Sequence, residues 1–98
     1  MPRLSTHKIT VELEPTGARI SVTGREAWML KNLLDVGDKG LTSIERPAPR
    51  ISSYVAHLRE AGLNISTDME EHSGPYPGRH GRYRLQSRVQ VVSIEGLA

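Results

Sequence analysis

Ile9, Val11 and Leu13 alternate with Thr10, Glu12 and Glu14. The pattern breaks at Pro15-Thr16-Gly17 and resumes as Ala18, Ile20 and Val22 against Arg19 and Ser21. Alternation with a period of two on both sides of a Pro/Gly turn predicts a hairpin with one buried face, its strands near 8–14 and 18–23. After Gly24 the period changes. Ala27, Leu30 and Leu34 recur at helical spacing with Leu33 beside them, which predicts an amphipathic helix of about three turns ending near Gly37. Thr23 and Glu26 have the spacing of a capping box at its start. Trp28, at the edge of the apolar stripe, reads as a partly buried packing residue.

Leu41 and Ile44 allow one helical turn, but Pro47 and Pro49 forbid a longer one, because proline lacks a donor and disfavours helical geometry in the residue before it. A second helix is therefore a stub. Pro49 suits the first position of the next helix, where a missing N–H costs nothing. From there Ile51, Val55, Leu58 and Gly62 fall on one side, so the spacing predicts a helix over 49–61. Arg50, Ser53, His57 and Glu60 lie opposite that stripe, with Tyr54 on the flank. Arg50, Ser52, Ser53, Tyr54 and His57 are side chains that hydrogen-bond base edges or phosphates. They lie toward the positive N-terminal end of the helix.

Past Gly62, Leu63, Ile65, Thr67 and Met69 alternate with polar residues, and Tyr83 and Leu85 stand between Arg82, Arg84 and Gln86. These read as two strands of a second hairpin whose long Gly/Pro-rich tip, 72–82, carries Tyr76, Arg79 and His80. Past Gln90 the pattern leaves a short strand and an irregular tail both open.

Composition sharpens this picture. Ninety-eight residues make one domain, 1–98 with its core over about 8–92, and 37% apolar residues without Phe mean a core of Leu, Ile and Val. The absence of cysteine excludes disulfides, cysteine-based zinc sites and thiol catalysis. No stretch reaches the length of a membrane span, and Met1 to Ile9 lacks the apolar core of a signal peptide, so a cytoplasmic protein is expected, nucleoid-associated if it binds DNA. The net charge is only +2, but its distribution is uneven. Arg79, Arg82, Arg84 and Arg88 follow one another without an acid, while Asp68, Glu70 and Glu71 stand together without a base. Those acids either lie on the far side of the hairpin, pair with the arginines, or mark a protein partner. Arginine suits phosphate through its planar fork, which makes Arg79, Arg82 and Arg84, with His80, the second group of candidate contacts. Arg59, beside the apolar stripe, reads as structural, its stem on the core and its head on a carboxylate.

Enzyme chemistry finds no footing. His57, His72 and His80 include no pair at i, i+4 on a helix, Gly74 and Gly78 sit among prolines and not at a helix start, and no nucleophile has a recognisable setting. No catalysis, metal, cofactor or small-molecule substrate is expected.

Strand, strand, helix, stub, helix, strand, long loop and strand is an α+β order, that of a winged helix-turn-helix domain preceded by a hairpin. Leu41, Thr42, Arg50, Ile51, Leu58, Arg59, Gly62, Ile65, Arg82, Tyr83 and Leu85 also form a pattern. Over roughly Gly24 to Leu85 the chain resembles the small winged helix-turn-helix DNA-binding proteins of bacteriophages and proteobacteria. The resemblance implies double-stranded DNA as partner, with helix 49–61 in the major groove, the wing 72–82 on the backbone or minor groove, and a small transcriptional regulator. One helix of this length buries too little surface for high affinity alone, so a homodimer is expected. A second reading stays open: a winged-helix protein-interaction module, engaging its partner through the acids 68–71 or the free edge of Lys8 to Leu13, an edge that also suits homodimer formation.

Overall fold

β1, Lys8–Leu13, and β2, Arg19–Thr23, pair antiparallel with Ile9 opposite Val22 and Val11 opposite Ile20. The computed structural model describes residues 8–45, 50–72 and 78–95. Gly17, at φ 79°, turns the chain and donates its N–H to the Leu13 carbonyl at 2.7 Å. Opposite residues share a face of the sheet, so Ile9, Val11 and Ile20 go inward together. Outside, Thr10 meets Ser21 at 2.8 Å and Arg19 meets Glu12 at 3.4 Å.

The segment Lys8–Leu13 is not the free edge that the sequence suggests but a central strand. The tail forms β6, Val89–Glu95, which pairs with β1 on the side away from β2, giving the order β2-β1-β6. Ile9 and Val11 are fully buried, and a central strand is the position that shields such residues from both sides.

α1, Gly24–Val36, follows β2 directly and packs across β1 and β2. It buries Ala27, Met29, Leu30 and Leu33, and ends at Gly37, whose N–H returns to the Leu33 carbonyl. The capping box does not form. Thr23 holds the N-cap position without a side-chain bond, and Glu26 faces away to α2, where it accepts a hydrogen bond from His57. Trp28 packs against the core from the edge of the stripe, as its position suggested.

The expected helical turn at Leu41 to Ile44 is replaced by a single 3₁₀ turn, Gly37–Lys39, and a two-residue strand β3, Leu41–Thr42. Leu41 is fully buried opposite Tyr83, whereas Ile44 is 53% exposed, so the two do not form one helical face. Thr42 Oγ1 accepts the Glu45 N–H at 3.0 Å and closes the following turn. Pro47 and Pro49 lie outside the described residues. α2, Ile51–Glu60, buries Ile51, Val55 and Leu58 as its stripe predicted, but begins after Arg50, two residues beyond Pro49. Arg50 is its N-cap, in the left-handed conformation at φ 64°.

Past Gly62, Leu63 is buried, and β4, Ile65–His72, pairs with β5, Gly78–Leu85, in an antiparallel hairpin; the sheet order is β3-β5-β4. The strands run further than expected, to His72 and from Gly78, so most of the predicted tip is ladder. Pairing supplies every second backbone group along those residues with a partner. Tyr76 lies outside the described residues.

Candidate functional site

The pleat of β5 divides its basic residues between two faces. Tyr83 and Leu85 pack against the core, so by alternation Arg79 and Gly81 share their face while His80, Arg82 and Arg84 look the other way. Across the ladder, Glu70 stands opposite His80, Asp68 opposite Arg82 and Ser66 opposite Arg84. The outer face of the hairpin is thus a row of bases beside a row of acids.

Those rows are joined. Arg82 Nε donates to Glu70 Oε2 at 2.6 Å, its Nη1 to Glu45 Oε1 at 3.2 Å and to the Lys39 carbonyl at 3.0 Å. Arg84 Nη1 donates to Asp68 Oδ2 at 2.6 Å, and its Nε to the Asp38 carbonyl at 2.9 Å. His80 Nε2 meets Glu70 Oε1 at 3.2 Å. Each arginine reaches an acid diagonally across the ladder, and both tie the hairpin to the 3₁₀ turn. The Arg82 guanidinium holds the carboxyls of Glu70 and Glu45 below their ordinary value, mainly through these hydrogen bonds, and its own pKa rises in turn. Of the three arrangements that the sequence left open for the acids, pairing with arginine holds for Asp68 and Glu70. Arg82 keeps only 15% of its side chain exposed.

Gly40 makes the close approach of these arginines to the 3₁₀ turn feasible. It adopts φ 75°, ψ 170°, a region reserved for glycine, and a Cβ there would stand 2.8 Å from Arg82 Cγ and 2.9 Å from Arg84 Cγ.

The other face of β5 meets the start of α2. An open cleft of about 260 Å³ lies between them, lined by Ser43, Arg50, Ile51, Ser52, Gly81 and Tyr83. Arg50 is exposed, α2 has no side-chain cap among the described residues, and Ser52 is exposed beside it. Among the described residues neither Arg50 nor Arg79 has a carboxylate partner. Ser53 is half-buried one position on.

Tyr54 and His57 bind α2 to α1. Arg25 stacks between rings, 5.0 Å from Trp28 and 5.6 Å from Tyr54, with its Nε 3.4 Å from the Tyr54 hydroxyl. His57 Nδ1–H donates to Glu26 Oε2 at 3.0 Å. Arg59 is structural as expected, but its head lies on the Ile65 carbonyl, at 2.7 Å, and the Thr67 hydroxyl, at 2.8 Å, and not on a carboxylate. It serves the start of β4, whose first carbonyl would otherwise lack a donor.

A helix, a buried short strand, a second helix presenting an uncapped N-terminus, and a two-stranded hairpin at its side are the parts of a known architecture. Residues 19–95 match the winged helix domain family. The chain belongs to that family. Comparison with curated proteins and with solved structures found no match. In this winged helix domain the β4–β5 hairpin is the wing, β3 completes its sheet, and β1, β2 and β6 form a second sheet under α1. Among the described residues no helix is long and apolar enough to cross a membrane.

Of the residues singled out from the sequence, Arg50, Ser52 and Arg79 lie on the cleft side. Tyr54 and His57 lie on the α1–α2 seam. His80, Arg82 and Arg84 lie on the wing's outer face. Sequence reasoning missed Arg25, Glu45 and Gly40. Arg25 stands three residues before Trp28, a spacing that puts both on one helix face, and that was the available signal.

Proposed function

We propose that the protein binds double-stranded DNA as a small transcriptional regulator of the bacterial and phage kind. α2 enters the major groove and the wing follows the backbone or minor groove. The observation that carries this reading is Arg50: an exposed, left-handed arginine at the uncapped N-terminus of α2, without an acid partner among the described residues. A free guanidinium and free helix N–H groups together favour phosphate. Ser52, Ser53 and His57 along α2 and Arg79 on the cleft side of the wing are the further contacts, with Tyr54 held by Arg25. His80, Arg82 and Arg84, already bonded to acids, act by holding the wing in place.

The test is fluorescence anisotropy with a short duplex over a range of salt. Arg50→Ala should reduce the slope of log K on log salt by about 0.9, the loss of one phosphate contact, while Arg82→Ala leaves the slope unchanged. Failure of the unaltered protein to bind any duplex at low salt discards the reading. That result favours the protein-interaction module, for which the charge-balanced outer face of the wing, with Asp68 exposed, is the supporting observation.

A further inference from the structure

Three of the large apolar side chains that stand exposed among the described residues belong to one strand: Val91 at 47%, Val92 at 42% and Ile94 at 48%. Their placement explains the exposure. Val91 is opposite Val11 and Ile94 is opposite Ile9, so both lie on the face of the sheet that buries its core. α1 covers that face over β1 and β2, and β6 carries it outward as an apolar ledge. Among the described residues β6 also has no partner on its outer side. The strand contains no lysine and no proline, the usual guards of an exposed edge. Its one irregularity, the bulge at Val92, leaves Val89–Val91 and Ser93–Glu95 as regular strand on either side.

We propose that β6 is a self-association edge, through which two copies of this chain pair antiparallel about a two-fold axis to form one continuous six-stranded sheet. The charges at the two ends of the strand point to a second copy as the occupant. Exposed Arg88 precedes the strand and exposed Glu95 ends it. Antiparallel self-pairing sets each Arg88 end beside the Glu95 end of the other copy, whereas parallel pairing sets like beside like. An isologous interface must be self-complementary in this way. The same pairing supplies backbone partners along the free edge and lays the two apolar ledges side by side. The interface is separate from α2 and the wing, so the proposal stands whether or not the DNA reading holds.

Sedimentation of the full chain over a hundred-fold range of concentration, with circular dichroism to verify the fold, tests it. The unaltered protein should show a concentration-dependent dimer. Ile94→Lys, on the exposed ledge, should leave a folded monomer. Arg88→Glu and Glu95→Arg should each weaken the dimer at least ten-fold, and the double reversal should restore it, which a merely apolar contact would not do. A protein monomeric at every concentration overturns the proposal. So does a dimer indifferent to Ile94→Lys, or one that the double reversal does not rescue.

Discussion

Arg82 Nε lies 2.6 Å from Glu70 Oε2, diagonally across the wing ladder, and the same guanidinium reaches Glu45 and the Lys39 carbonyl. One side chain thus joins three segments: β4, the turn after β3, and the 3₁₀ turn. A charge placed so is costly to orphan, because removing one partner leaves the others facing each other. Arg82→Ala should lower the urea midpoint and speed amide exchange along β4 and β5, while Arg82→Lys, a point charge without the fork, recovers little of either.

The same network makes the wing acid-sensitive. Glu70 and Glu45 have carboxyls held below their ordinary 4.5 by Arg82. A carboxyl whose pKa is lowered by folding contributes stability above its unfolded value and loses it as pH falls through the folded one. Stability should therefore decline between roughly pH 5 and pH 3. Glu70→Gln should be less stable at neutral pH and show a shallower acid decline, measured by urea unfolding at each pH. An equal decline in both proteins would place the acid sensitivity elsewhere.

Gly40 should tolerate no side chain. Its backbone lies in a glycine-only region and its missing Cβ leaves room for the stems of Arg82 and Arg84. Gly40→Ala should cost about 1–3 kcal/mol from backbone strain alone. Chemical denaturation measures that cost, with greater protease sensitivity at the wing as the structural sign.

Arg50 separates stability from binding. A non-glycine residue in the left-handed region is strained, so Arg50→Gly relieves the backbone while loosening the unfolded chain. The two effects oppose each other, and stability should stay within about 1 kcal/mol. Duplex affinity should nevertheless fall. A large loss of stability would mean that the Arg50 side chain is part of the fold and not of the contact surface.

Much of the fold was legible because its periodicities are unbroken. Ile9-Val11 against Ile20-Val22, and Ile51-Val55-Leu58, specify a hairpin and a helix within a residue or two of where they occur. The rest depended on distant pairing. β3 is only Leu41 and Thr42, and nothing local marks it as a strand; it exists because β5 bonds to it. β6 was ambiguous because the bulge at Val92 interrupts its alternation.

The site was half legible for the same reason. Alternation alone separates Arg79 from Arg82 and Arg84. Which acid each arginine meets depends on the β4–β5 register, and the Gly/Pro-rich sequence between the two strands does not specify that register. Arg50 was found by its helical position, but its left-handed backbone came only with the structure, since Pro49 suggested an earlier helix start.

The central claim is that the α2 N-terminus and the cleft side of the wing form the DNA surface. An amide NMR titration of the labelled protein with a short duplex, at low and at moderate salt, tests it most directly. Salt-sensitive shifts centred on Arg50 to His57 and on Arg79 are expected, with those of Asp68, Glu70, Arg82 and Arg84 smaller. A spectrum unmoved at low salt, or shifts confined to the outer face of the wing, would contradict it.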